Sequence, residues 1–242
     1  MSIAELHARI LGIVRERGHA LVLHVNAHAL NLCYRDPGLR SFFDSAPVVF
    51  CDGAGVMLAA RILGRHIPER ITYADWMWRF ANFAEEEDLS LFLLGAQPGV
   101  AEKAAGRLRA RYPNLKVAGV HHGYFDHTVG APENEAVLDE INATSPDVLL
   151  VGFGMPLQER WLMQNWDRIG AHVALTSGAV FDYVSGELRR GPRILTDNGF
   201  EWLARLLIEP GRLWRRYVFG NPIFLLRVLK QRLTREVARV RR

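Results

Sequence analysis

The chain has 242 residues, 49% of them apolar and 23% charged, enough for one large α/β domain with an appendage. Its two cysteines, Cys33 and Cys51, suggest neither a disulfide framework nor a zinc site, and a reduced, cytoplasmic setting is the simple reading. No uncharged apolar run reaches the roughly 18 residues expected of a membrane span. The N-terminus reads as an amphipathic helix, not a signal peptide. The net charge of +4 hides an asymmetry: residues 189–242 hold 14 of the 30 Lys and Arg but 4 of the 26 Asp and Glu, so that segment is about +10 and residues 1–188 about −6. The acidic body argues against a nucleic-acid partner, and the basic tail needs its own explanation.

The pattern predicts a helix over 3–17, a strand over 19–26 and a helical stretch over 27–45. A strand follows at VVFC (48–51), then helices over 53–63 and 74–87 and a strand at SLFLLG (90–95). The next helix runs from Pro98 to Tyr112, before a short strand at LKVAGV (115–120) and a turn-rich loop over 121–134. A helix over 134–144, a strand over 147–151, a helix over 156–168 and a last strand over 172–178 complete the alternation. This order predicts an α/β fold: a mostly parallel, Rossmann-like sheet with helices on both faces.

The tail differs in kind. Residues 199–219 give an aromatic, Arg-rich helical pattern interrupted at Pro210-Gly211, and Asn221-Pro222 marks another break. Beyond it Leu226, Leu229, Leu233, Val237 and Val240 recur at spacings of three and four, flanked by Arg227, Lys230, Arg232, Arg235, Arg239, Arg241 and Arg242. A basic amphipathic helix of this kind can lie in an anionic membrane interface. The bland alternative is a helix packed on the body with its arginines in water. The division expected is a core over 1–192 and a basic helical tail over 193–242.

Three strand-to-glycine-to-helix turns stand out: VVFCDGAGVMLAAR (48–61), LFLLGAQPGVAEKAA (91–105) and DVLLVGFGMPLQERW (147–161). In an open parallel sheet such turns lie at the carboxyl edge, where ligands bind. The glycines let a ligand approach, and the first helical N–H groups would face an anion. Asp52, directly after a strand, could act as a general base there or simply cap the next helix. His24, His28, His121 and His122 invite a metal reading, but no spacing of the HExxH kind supports it. Tyr124 could stack on a base or close a core edge. Asp182 could accept the imide N–H of a uracil or cap a turn. The GxGxxG, GxxxxGK[ST] and GxSxG patterns are missing from the strand ends, which disfavours a dinucleotide dehydrogenase, a P-loop nucleotidase and an α/β-hydrolase.

Taken in order, these segments resemble the WecG/TagA/CpsF family of bacterial glycosyltransferases. The matching pieces are Asn26 after the first strand, DGAGVMLAARILG (52–64), PERIT with the following AD (68–75), LLGAQPGVAEKAA (93–105), RYPNLKVAG (111–119) and HGYF (122–125). VGFGMPLQERW (151–161), SGAVFDYVSGELRRGP (177–192) and GFEWLARLLIEPGRLWRRY (199–217) complete them. The resemblance implies a metal-independent, inverting transferase without a cofactor, using a UDP-sugar donor. The acceptor implied is a polyprenyl-diphosphate-linked saccharide at the inner face of the cytoplasmic membrane, in exopolysaccharide, capsule or cell-wall polymer assembly.

By matching position, the resemblance makes Asp52 the base. Asn26 and Gln158 would line the sugar end of the pocket, and Arg70 would lie near the diphosphate. Tyr124 and Asp182 would form the uracil pocket, and Arg205, Arg212 and Arg215 would close over the site. Ion pairs from Arg205 to Glu201 or Glu209 are the ordinary alternative for that arginine. Many members carry Thr where this chain has His24 and Gly where it has Tyr73. Both changes add bulk beside the donor site, so N-acetylmannosamine or its uronic acid is not carried over as donor, and glucose or glucuronic acid is expected equally. A non-catalytic UDP-sugar- or lipid-binding component of an assembly complex is the alternative function. The aromatic surface near Trp202, Trp214 and Tyr217 could meet lipid, a second subunit of a homo-oligomer or the body itself.

Overall fold

A computed structural model of the chain describes residues 1–196 and 198–240, with side chains through residue 234. In chain order the elements are α1 (Ile3–Arg15), β1 (Ala20–Val25), α2 (Ala27–Arg35), α3 (Pro37–Ser45), β2 (Val48–Cys51), α4 (Ala54–Ile62), α5 (Tyr73–Glu86) and β3 (Ser90–Gly95). Next come α6 (Val100–Arg111), β4 (Lys116–His121), α7 (Pro132–Thr144), β5 (Val148–Gly152), α8 (Leu157–Asn165), a 3-10 turn (Trp166–Arg168) and β6 (Val173–Thr176). The remainder is helical: α9 (Val180–Ser185), α10 (Arg193–Thr196), α11 (Glu201–Ile208), α12 (Pro210–Trp214), a π turn (Arg215–Phe219) and α13 (Gly220–Val240).

The six strands form one parallel sheet in the order β2-β1-β6-β5-β3-β4. Its strands are apolar on both sides because both faces are covered. Leu91, Leu93, Val148, Leu150, Val173 and Leu175 point to a core shared with Leu6, Ile10, Trp76, Met77, Phe80 and Phe181. The alternate residues Phe92, Leu94, Leu149, Val151 and Ala174 meet Leu39, Phe42, Val137, Ile141, Trp161 and Leu162. Each fully buried large apolar side chain contributes roughly 1.5–3 kcal/mol. A one-residue slip in any central strand would exchange the two faces.

The chain leaves β3 toward β4 and leaves β5 toward β6, in opposite directions along the sheet. That divergence opens a crevice at the carboxyl ends of these neighbours. Its floor needs glycine: a Cβ on Gly95 would lie 2.5 Å from the carbonyl oxygen of Gly152. Gly154 takes a left-handed φ of 82°, which favours glycine in the turn before α8.

Two expectations about helices are corrected. The stretch 27–45 is two helices, because Asp36 accepts the Leu39 N–H at 3.1 Å and Pro37 starts the new helix. Asn221-Pro222 does not break the tail, since the helical backbone passes from the π turn over Arg215–Phe219 straight into α13 at Gly220 and continues through Pro222. The interruption at Pro210-Gly211 is real and separates α11 from α12.

Helix α13 folds back on the body. Phe224 and Val228 are buried with Ala59, against Ala27, Ile62 and Leu63. Arg227 donates to Asn31 Oδ1 at 2.6 Å and lies 3.9 Å from the Tyr34 ring centroid, and Asn31 donates to the Gly220 carbonyl at 2.7 Å. The stripe Leu226, Leu229 and Leu233 faces away from the body, with 65%, 46% and 62% of each residue exposed. Val237, Val240, Arg235, Arg239, Arg241 and Arg242, also part of that expected pattern, lie outside the described side chains. No described helix is long and apolar enough to cross a membrane.

Candidate active site

The carboxyl edge of the sheet and the returning tail enclose two adjoining cavities. The inner one, of about 480 Å³, is lined by His24, Asn26 and Asp52 from the ends of β1 and β2, Arg70 and Tyr73 from the approach to α5, and Ser177 after β6. Its tail wall includes Glu201, Arg205, Arg212, Arg216, Tyr217 and Phe224. The outer cavity, of about 1350 Å³, runs along the ends of β3, β4 and β5 and is lined by Tyr124, Phe153, Asp182, Arg212, Arg215 and Arg216 among others. The two meet at His28, at Gly154-Met155, at Gly178-Ala179 and at Arg212 and Arg216.

Asp52 does not cap the helix that follows it. The N-cap of α4 is Gly53, with no side-chain hydrogen bond. Instead the Tyr73 backbone N–H donates weakly to Asp52 Oδ1 at 3.4 Å, tying the carboxylate to the start of α5. Burial pushes the Asp52 carboxyl up; the Tyr73 N–H and the charges of Arg216, Arg205 and Arg70 pull it back. A carboxylate balanced in this way can take a proton from a hydroxyl brought into the cavity.

The polar groups around it divide into anchored and unanchored ones. Asn26 caps α2, its Oδ1 accepting from the His28 and Ala29 N–H groups at 3.0 and 3.1 Å. Arg70 donates to the Thr196 carbonyl at 2.8 Å, which pins α10 over the cavity. Arg205 pairs with Glu209 at 3.1 Å and lies over the Tyr183 ring, and Arg212 pairs with Glu209 at 2.8 Å. His24 is buried, and its Nδ1 lies 2.8 Å from the Thr176 carbonyl oxygen, so that nitrogen carries the proton. Burial lowers His24 and His28 to about 4, leaving both rings neutral at neutral pH. By contrast, Tyr73 Oη, Ser177 Oγ, Arg205 Nε and Arg216 Nε are buried without a hydrogen-bond partner, and all four residues line the inner cavity. Buried polar atoms are nearly always paired, so this concentration points to a polar ligand.

The family model for glycosyl transferases of the WecG/TagA/CpsF family matches residues 1–238. The chain is 30% identical over 209 residues to proteins from two strains of Staphylococcus aureus, covering 86% of this chain and 79% of theirs. Both relatives are named N-acetylglucosaminyldiphosphoundecaprenol N-acetyl-beta-D-mannosaminyltransferase. The chain belongs to the WecG/TagA/CpsF glycosyltransferase family.

Within this glycosyltransferase, the residues singled out in the sequence fall into three groups. Asn26, Asp52, Arg70, Arg205 and Arg212 share the inner cavity. Tyr124, Asp182, Arg212 and Arg215 line the outer one, with Tyr124 64% exposed. Burial also raises the Asp182 carboxyl above its ordinary value, against the pull of Arg212.

Gln158 lines neither cavity. It is buried, its Oε1 accepts from the Gly154 and Gly178 N–H groups at 3.2 and 3.0 Å, and its Nε2 donates to Glu159 at 2.7 Å. Gln158 therefore shapes the two turns that divide the cavities. The Gly154 N–H in the turn before α8 is thereby occupied by this side chain. Glu159 is buried too, and burial raises its carboxyl to about 7.

The resemblance did not mark Arg216, which lines both cavities, while Arg215 lines the outer one alone and stacks on Trp214. Spacing gave part of the signal, since Arg212 and Arg216 are four residues apart; that Arg205 joins them depends on how α11 meets α12. Among the described residues no three His, Cys, Asp or Glu side chains converge as metal ligands, so His24, His28, His121 and His122 do not form such a group.

Proposed function

We propose that this enzyme is an inverting, metal-independent hexosyltransferase. It moves a hexose from a UDP-hexose to a polyprenyl-diphosphate-linked saccharide while held on the cytoplasmic face of the membrane. The observation that carries the reading is the buried carboxylate of Asp52, at the end of β2, sharing a cavity with Arg70, Arg205, Arg212 and Arg216. In a single displacement, Asp52 takes the proton of the acceptor hydroxyl as its oxygen attacks the anomeric carbon. The bond from that carbon to the diphosphate breaks, and the electron pair leaves with UDP. Guanidinium groups supply the positive charge that the departing diphosphate needs.

The outer cavity suits the nucleotide. Asp182 offers an acceptor for an imide N–H and Tyr124 a ring for stacking. The acceptor class is the kind that the names of the staphylococcal relatives describe. The outward stripe Leu226, Leu229 and Leu233, with the exposed Lys230 beside it, supports a peripheral membrane position, where a lipid-linked acceptor resides.

The test is sugar transfer from a panel of UDP-hexoses to polyprenyl-diphosphate-linked mono- and disaccharides in liposomes. Transfer from a UDP-hexose with inversion at the anomeric carbon is expected. Transfer with retained configuration would contradict the single displacement, and tight UDP binding without transfer to any acceptor would favour a non-catalytic component.

A further inference from the structure

Two hydroxyl groups on the wall of the Asp52 cavity are buried and bonded to nothing: Tyr73 Oη and Ser177 Oγ. The residues that carry them are 6% and 2% exposed, and both line the inner cavity. Tyr73 is held on several sides. Its ring meets His24 edge-on at 5.1 Å and Trp76 edge-on at 5.2 Å, and it lies 5.5 Å from Phe50. Its backbone N–H is the group that donates to Asp52. The phenol is therefore fixed relative to the proposed base. Ser177 follows β6 directly, and its own N–H is used by the Val151 carbonyl at 2.8 Å, which fixes the backbone that presents the hydroxyl.

A rigid, buried hydroxyl without a partner destabilises the empty protein, and a ligand that supplies the missing bond removes the penalty. A hydroxyl both donates and accepts, so its natural complement is another hydroxyl. The neutral ring of His24 lies on the same wall and adds no charge there. Arg205, Arg212 and Arg216 line the tail side of the cavity, suited to the diphosphate, and Arg70 is drawn to the Thr196 carbonyl, so the side chains that Tyr73, Ser177 and His24 present beside the base are uncharged and polar.

We propose that Tyr73 Oη and Ser177 Oγ bind hydroxyl groups of a neutral hexose at the reaction centre and set the enzyme's sugar specificity. The inference rests on the glycosyltransferase reading of the Asp52 cavity and adds to it the residues that recognise the sugar. The hexose could be the one transferred or the terminal sugar of the acceptor, which present the same chemistry.

The experiment measures kcat/KM and thermal midpoint for wild type, Tyr73→Phe and Ser177→Ala with a set of monodeoxy UDP-hexoses and, separately, monodeoxy acceptors. Wild type should disfavour removal of one particular hydroxyl by about tenfold or more. Tyr73→Phe should lose about tenfold with the parent sugar and nothing further with that deoxy sugar, while its thermal midpoint stays level or rises. Ser177→Ala should do the same at another position. Whether the affected deoxy compounds are donors or acceptors identifies the sugar. Equal losses for every sugar, or no loss for any, with folding intact, would overturn the assignment while leaving the transferase reading in place. Absence of transfer by wild type itself would overturn both.

Discussion

Glu159 is the residue at which folding and acidity are most directly linked. Its carboxyl is buried, one oxygen accepts from Gln158 at 2.7 Å and the other has no partner. Burial raises it to about 7 from an ordinary 4.5. A carboxyl raised in the fold binds more protons folded than unfolded between those two values, so its contribution to stability falls as pH rises from about 4.5 to 7 and is level beyond. The gap corresponds to a contribution on the order of 3 kcal/mol. Glu159→Gln removes the ionisation and keeps an oxygen for Gln158. Denaturant unfolding should therefore show the variant matching wild type near pH 4.5 and exceeding it at pH 8. A constant difference across that range would mean that Glu159 ionises as freely in the fold as outside it. Asn26 raises a related issue of dual use, because the amide on the cavity wall also caps α2. Loss of activity in Asn26→Ala alone would thus not distinguish sugar binding from a lost cap worth about 1 kcal/mol.

At the scale of elements, the site exists because α13 returns the tail across the body. Phe224 has two duties: it packs with Val228 and Ala59, and it lines the inner cavity. Phe224→Ala should weaken the docking of α13 by about 3 kcal/mol. Hydrogen exchange should then accelerate over residues 220–234 and remain slow in β3, β5 and β6. Equal acceleration in the central strands would show that tail and sheet unfold as one unit. All six strands were legible in the sequence, because a sheet covered on both faces demands runs such as Leu91–Leu94 and Val148–Val151. The helix ends were less so. Pro222 reads as a breaker until the helical backbone is seen to run from the π turn through it, and the orientation of the Leu226 stripe depends on which face Phe224 and Val228 bury. Within the site, Asp52 was legible from its place after a strand. The seclusion of Gln158 and the inward Arg216 were not, since both depend on contacts between segments distant in sequence: Gln158 with Gly178, and the tail with the sheet edge.

The whole molecule is polarised, an acidic body carrying a basic tail. Long-range attraction between such a tail and an anionic surface is screened over about 10 Å at 0.1 M salt, whereas apolar insertion is not screened. Sedimentation with vesicles containing anionic lipid should therefore show binding that weakens as salt is raised. Replacing Leu226, Leu229 and Leu233 together with serine should reduce binding at least tenfold with little change in thermal midpoint, because these side chains are exposed. Unchanged binding in that variant would move the membrane contact elsewhere. The same polarity runs through the site, since the arginines of the tail complete a cavity whose Asp52 carboxylate belongs to the body. The most direct test is the pH dependence of transfer by wild type beside Asp52→Asn on the same lipid-linked acceptor. Base catalysis by Asp52 predicts a loss of about 10²–10⁴-fold in Asn, with folding intact. It also predicts that wild-type activity falls on acidification through a pKa above the ordinary aspartate value, because burial raises that carboxyl. Near wild-type turnover by Asp52→Asn, with the same acid limb, would contradict the account.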